Sequence, residues 1–262
     1  MTRPASTREI KEFGAHRSGT NFLRVILQEN YDVCVLTNTG GWKHGYYQVE
    51  ERLGREVDCA ICVKDPYAWI ASYYNYLNPR KEVAFSDFAH KPIKVTGPDQ
   101  TIEWPNPMRY WAQMNEHWLN LELKHRRKFL FRYEEVLADP IGSVQEVVRE
   151  LGLKRREHWA RKVKRALGFA VSEPEFFLPS IRLGAVPEKY KSSHIKRGEA
   201  FDSKRYTERK YLSHFDRASL EFVTQQLNRS LMERLGYSMI GPEELTRREA
   251  GIGATGEQAQ RE

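Results

Sequence analysis

Cysteine is scarce in this chain: its 262 residues hold three, Cys34, Cys59 and Cys62. An odd and sparse set excludes a disulfide framework as the basis of the fold. Cys59 and Cys62 form a C-x-x-C, but they lie in the strand-like run Asp58 to Val63. An odd separation on a strand sends the side chains to opposite faces, so buried thiols are expected there and not a chelating or redox pair. Other metal patterns are missing too. There is no H-E-x-x-H, no paired C-x-x-C and no acidic calcium loop, and no metal is expected. Long apolar runs are also lacking, since nowhere do about 18 apolar residues stand together. Met1 to Lys11 is polar and carries Arg3, Arg8 and Lys11 in place of a signal peptide's apolar core, so a soluble, cytoplasmic protein is expected. No internal repeat is present.

What is plentiful is positive charge. Lysine and arginine total 42 against 35 acidic residues, giving a net charge of +7 and a pI of about 9.2. Such a balance favours an acidic partner: a multiply charged nucleotide, a nucleic acid or an anionic surface. A nucleic-acid-binding module would rest on this charge alone, because no aromatic or zinc motif accompanies it. At 30.7 kDa and 40% hydrophobic, the chain can bury a sizeable core, and its length suits one α/β domain.

The stretch that organises the chain is Gly14-Ala15-His16-Arg17-Ser18-Gly19-Thr20-Asn21-Phe22. Ile10 to Phe13 before it reads as a strand, and Leu23, Ile26 and Leu27 after it recur at helical spacing. Glycines at both ends allow a tight bend, and the first amides of the helix point outward at its positive end, which makes an anion cradle. Gly14 and Gly19 enclose four residues, as in the phosphate loop G-x-x-x-x-G-K-[ST]. Thr20 and Asn21 stand where that loop has its lysine and its magnesium-binding hydroxyl, and a cation comes earlier as Arg17. The loop is suited to hold an anion without a dedicated magnesium ligand.

Further along, Val33 to Leu36 is a buried-type strand that ends in the turn-rich Thr37 to Gly41. Lys43 and His44 follow, on loops expected to share the ligand crevice of a parallel sheet with Arg17. On this segment alone His44 is either a base or an ordinary loop histidine. Cys59 to Val63 is a third strand, and Lys64 stands at its tip. Asp65 and Pro66 then mark a helix start, with Ser72 near the second turn. Asn78 to Pro107 is punctuated by prolines and glycine and reads as a long irregular segment suited to acceptor recognition. A helix is expected over about Met108 to Leu123, a fourth strand at Phe129 to Phe131, and a helix opened by Asp139-Pro140 and closed by Gly152. Alternating strands and helices argue for a central parallel sheet flanked by helices, with right-handed crossovers. Lys154 to Arg165 reads as a solvated basic face, and Val171 to Gly198 as loop or short helix. Asp216 to Leu235 reads as one amphipathic helix stopped by Gly236. The domain spans 1–240, and the polar tail 241–262 is expected to be disordered.

Three segments together resemble the sulfotransferases that use 3′-phosphoadenosine 5′-phosphosulfate (PAPS): His16-Arg17-Ser18-Gly19-Thr20-Asn21-Phe22, Lys64-Asp65-Pro66 through Ser72, and Arg132-Tyr133-Glu134-Glu135 with Asp139-Pro140. The resemblance implies the phosphate-loop-like α/β fold of that family. It makes Arg17, Ser18, Gly19, Thr20 and Asn21 a 5′-phosphosulfate loop, and Lys64 with Ser72, eight positions on, the grip on the 3′-phosphate. Where the family usually has arginine, Lys64 offers a point charge and no bidentate fork. Asn21 replaces a hydroxyl residue, and its amide can still donate to a phosphate oxygen. Phe22 falls where an aromatic packs near the adenine or in the core. Lys196-Arg197-Gly198 is similar to a basic-glycine element that completes the donor site.

In such enzymes a histidine preceded by a lysine stands about twenty residues before the 3′-phosphate motif, which is the position of His44. The resemblance therefore implies that His44 is the general base, and that Arg17, with Lys43 assisting, stabilises the departing adenosine bisphosphate. Some relatives use glutamate, which leaves Glu50, Glu103 and Glu116 in reserve. The expected reaction is sulfuryl transfer from PAPS to a hydroxyl or amine of a small-molecule, carbohydrate, lipid or peptide acceptor, with no metal and no nucleic acid. The alternative is an ATP-dependent phosphotransferase on the same scaffold, which Thr20 and Asn21 disfavour.

Overall fold

A computed structural model describes residues 8–47, 57–123, 126–156, 206 and 208–249. The described residues fall into two compact units. One takes those within Met1–Lys64, Thr96–Thr101 and Met114–Asp202, the other those within Asp65–Val95, Ile102–Gln113 and Ser203–Glu262.

The first unit is built on a parallel sheet of β1 (Arg8–Phe13), β2 (Val33–Leu36), β3 (Asp58–Val63) and β6 (Lys128–Arg132), in the order β2-β1-β3-β6. β2 and β3 are buried along their whole length, as strands covered on both faces must be. Helix α1 (Thr20–Asn30) turns Leu23, Ile26 and Leu27 inward, and they join Ile10, Val35, Cys62 and Phe131 in one apolar cluster. Two further helices reach that cluster: α5 (Tyr133–Ala138) through Val136, and α6 (Gly142–Leu151) through Val144, Val147 and Leu151. Alternation along β1 sends Ile10 and Glu12 to the α1 side and Lys11 and Phe13 to the other, where the Phe13 ring stacks on Trp118 at 5.9 Å. The chain is thus an α/β protein with a central parallel sheet flanked by helices, as its alternating pattern implies. The C-x-x-C does not form a pair: Cys59 donates to Val57 O, and Cys62 to Ser18 O.

The second unit is helical. Its α2 (Pro66–Leu77) is capped by Asp65, whose Oδ1 accepts from Ala68 N at 2.9 Å. Its aromatic face packs Trp69 on Tyr73 at 4.9 Å. The stretch expected to be irregular instead holds α3 (Phe85–His90) and a hairpin of β4 (Ile93–Thr96) and β5 (Thr101–Trp104). Helix α4 (Pro107–Leu119) is shorter than its pattern suggests.

The single helix expected near the carboxyl end is two, α7 (Arg217–Gln225) and α8 (Arg229–Leu235). Asn228 separates them, because its side chain takes the amides of Ser230 and Leu231 and starts a new helix. Residues 243–249, placed in the tail by composition, form a short helix, α9 (Glu243–Glu249). Lys196, Arg197, Gly198, Glu50, the Val171 to Gly198 segment, most of the basic run and residues 250–262 lie outside the described residues.

Candidate functional site

The loop after β1 is shaped by contacts that only glycine allows. A Cβ on Gly14 would come within 2.5 Å of Cys62 O and of Ser18 Oγ. Gly19 takes φ 97° with the Tyr133 ring against it, so a Cβ there would lie 2.1 Å from Cδ2. Arg17 also takes a left-handed φ, of 70°, a conformation that costs a non-glycine residue about 1–3 kcal/mol and tends to persist at functional positions. Gly19 caps α1 without a side-chain hydrogen bond, and no acidic residue stands in the first turn. The positive end of that helix is left unneutralised by its own side chains. Ser18 Oγ is buried and has no hydrogen-bond partner among the described residues.

The loop after β2 meets this one directly. Lys11 holds the intervening turn in place, with Nζ donating to Thr37 O at 2.8 Å and to Gly41 O at 2.6 Å. Burial pulls the Lys11 pKa down to about 7. Gly14 N donates to Lys43 O at 3.1 Å. His44 Nδ1 donates to Gly14 O at 2.5 Å, and because a carbonyl can only accept, that contact fixes the tautomer and leaves Nε2 with its lone pair. The His44 ring stacks on His16, centroids 4.1 Å apart, and Trp42 sits edge-on to both. Burial pushes His44 well below the usual histidine range, and neighbouring His16 and Lys43 add to the shift. His16 is drawn down to about 4 for the same first reason. Both rings are neutral near pH 7.

Lys43 Nζ donates to Asn21 Oδ1 at 2.7 Å and lies 3.5 Å from Glu12 Oε2. Asn21 therefore turns its carbonyl to the lysine. Lys64, at the end of β3, is buried with Nζ 4.6 Å from the centre of the Tyr133 ring, the same ring that closes on Gly19. Phe22 packs against the apolar cluster and edge-on to Tyr133. Thr20 is buried in the first turn of α1.

Arg17, Ser18, Gly19, Thr20, Asn21, Lys43, His44 and Lys64 thus all belong to the first unit, on the loops leaving the carboxyl ends of three neighbouring strands or in the first turn of α1. Ser72 belongs to the second, half-buried on α2. Of the reserve glutamates, Glu103 is exposed on β5 and paired with Lys94 at 3.2 Å. Sequence reasoning missed Lys11 and Glu12, and gave His16 and Tyr133 no role beyond membership of the motifs. A lysine and a glutamate adjacent in the middle of a central strand were the available signal, since such positions are normally apolar.

Among the described residues, no helix is long and apolar enough to cross a membrane, and no group of three or more His, Cys, Asp or Glu is placed to hold a metal. No curated protein and no solved structure matches the chain. A family model does, the sulfotransferase domain, over residues 57–230. The match includes Lys64, Ser72 and the Arg132 to Pro140 segment, and begins after the loop and His44. Covering well over half of the sequence, it shows that the chain belongs to the sulfotransferase family.

Proposed function

We propose that this protein transfers the sulfuryl group of PAPS to a hydroxyl or amine of an acceptor, with His44 as the general base. The acceptor atom bonds to sulfur as the bond from sulfur to the bridging phosphate oxygen breaks. The electron pair leaves with adenosine 3′,5′-bisphosphate, and the acceptor's proton passes to His44 Nε2. Arg17, Lys43 and the amides at the start of α1 hold the charge that grows on the departing phosphate. Lys64 supplies a cation for the ribose 3′-phosphate, and Ser18 Oγ a donor for the phosphosulfate.

The observation that carries this reading is the bond from His44 Nδ1 to Gly14 O. It ties the proton acceptor to the anion-holding loop and presents the unprotonated nitrogen. A base kept neutral by burial needs no prior deprotonation at working pH. The buried Ser18 hydroxyl and the two glycines with no room for a Cβ fit a ligand that comes close to the backbone.

A thermal-shift comparison tests the donor. Adenosine 3′,5′-bisphosphate at about 100 times its Kd adds about 2.7 kcal/mol of stability, so the melting temperature rises by several degrees without magnesium. A rise with Mg-ATP and none with the bisphosphate would overturn the reading in favour of phosphoryl transfer. Screening acceptor classes with labelled PAPS then identifies the second substrate.

A further inference from the structure

Glu12 is sealed from solvent near the carboxyl end of β1, at 0% exposure, and plays no part in the reaction as written above. We propose that Glu12 is a positioning residue of the transfer site, whose carboxylate keeps the Lys43 ammonium charged and aimed at the leaving phosphate. The inference rests on the role given to Lys43 in the preceding reading.

The geometry is a three-point tether. Lys43 comes from the loop after β2, Glu12 from the strand before the glycine loop and Asn21 from the first turn after it. Nζ lies 3.5 Å from Glu12 Oε2 and 2.7 Å from Asn21 Oδ1. An ammonium has three N–H bonds. One donates to Asn21 Oδ1 and the Glu12 carboxylate lies at ion-pair distance without a hydrogen bond, which leaves an N–H direction for a ligand oxygen. A lysine side chain only 9% exposed would lose its proton readily without a counterion.

The other groups that bear on Lys43 do not provide one. Arg24 from α1 and Lys11 from β1 are basic. His16 and His44 are neutral, and burial holds the Cys62 thiol protonated. Glu12 alone among them brings negative charge. Burial lowers Lys43 and raises Glu12, and each draws the other back toward its charged form.

Calorimetric titration with adenosine 3′,5′-bisphosphate between about pH 7 and 9, in buffers of different ionisation heat, reads the charge of Lys43 without needing the acceptor. In Glu12→Gln, affinity is expected to fall about tenfold per pH unit above the lowered lysine pKa. Binding there takes up close to one proton more than in the wild type. Lys43→Met binds weakly at every pH, and adding Glu12→Gln to it changes nothing further. Glu12→Asp, whose charge sits one methylene back, shows a smaller shift of the same sign and serves if Glu12→Gln does not fold. A purely structural Glu12 would give weakening independent of pH with no added proton, and that result overturns the inference. If Lys43→Met binds and turns over like the wild type, the site reading falls and the inference with it. If Lys43→Met is impaired while Glu12→Gln keeps the wild-type profile, the inference alone falls.

Discussion

The two ends of the parallel sheet carry charge in opposite ways. At the amino end Asp58 is 3% exposed and fully engaged: Arg8 Nη2 lies 3.3 Å away, Arg127 Nε 3.7 Å, and the Arg127 amide donates at 3.0 Å. The two arginines are 43% and 40% exposed, so water shares the solvation. At the carboxyl end Glu12 and Lys43 are both sealed, with one ammonium facing one carboxylate and a donor direction left over. A buried ion pair is a weak source of stability, since desolvation costs about as much as attraction returns. The amino-end cluster is a staple between strands. On the proposed function, the carboxyl-end pair serves binding, where a preformed charge avoids reorganisation during the reaction.

The largest effect that separates the two ends is on turnover. His44→Ala removes the base proposed for the carboxyl end and is expected to slow sulfuryl transfer by about 10²–10⁴-fold, while the Kd for adenosine 3′,5′-bisphosphate stays within about twofold. Steady-state kinetics with labelled PAPS, set beside calorimetry, checks both, and retained turnover would remove His44 from the mechanism. With the His44 pKa lowered by burial, its ring stays unprotonated into acid. The acidic limb of kcat/KM is therefore expected below the ordinary histidine range.

Stability against pH comes next in size. His16 and His44 resist protonation when folded and accept it when unfolded, so their contribution is intact above about pH 6.5 and declines as the pH falls below that value. For His16 the decline continues to about pH 4. A histidine accounts for about 1.4 kcal/mol per pH unit in that range, which comes to about 2 kcal/mol for His16 by pH 5. Urea midpoints at about pH 7.5 and pH 5 measure it. Glu12, whose pKa burial raises, works in the other direction. The difference between wild type and His16→Asn isolates the histidine's share, and equal pH slopes in the two would show that its partly buried ring is not held neutral.

How much of this could be read from the residues differs between the same two ends. The apolar runs Val33–Leu36 and Cys59–Val63 announced buried parallel strands, and the two glycines with Arg17 announced the loop. Local pattern could not show what Lys11 and Glu12 do inside β1, because their partners are Thr37, Gly41 and Lys43, some thirty positions away. The stacking of His16 on His44 likewise depends on two loops meeting through the register of β1 with β2. Elsewhere the spacing of Leu220, Val223, Leu227, Leu231 and Leu235 ran through the break between α7 and α8 without a change of period. Only Asn228, a helix starter, marked it. The short β4–β5 hairpin was hidden by prolines and glycine that looked like continuous loop.

Asp58→Ala strips the amino-end staple of its centre. It leaves the Arg127 amide without its acceptor and two arginines without their counterion, which costs about 2–3 kcal/mol by chemical denaturation. Turnover per folded molecule stays unchanged; a selective loss of kcat would mean the two ends are coupled.

Arg8→Ala is the smallest change and the sharpest control. Its guanidinium meets Asp58 at 3.3 Å but is largely wet, and pairs of that kind contribute about 0.2–1 kcal/mol, screened further by salt. Asp58 keeps both contacts to Arg127, so no buried group is orphaned and the sheet register holds. Denaturation with and without added salt should therefore show a loss under about 1 kcal/mol that shrinks as ionic strength rises. A larger, salt-insensitive loss would mean that the amino end, like the carboxyl end, holds its charge dry, and the contrast between the two ends would fail.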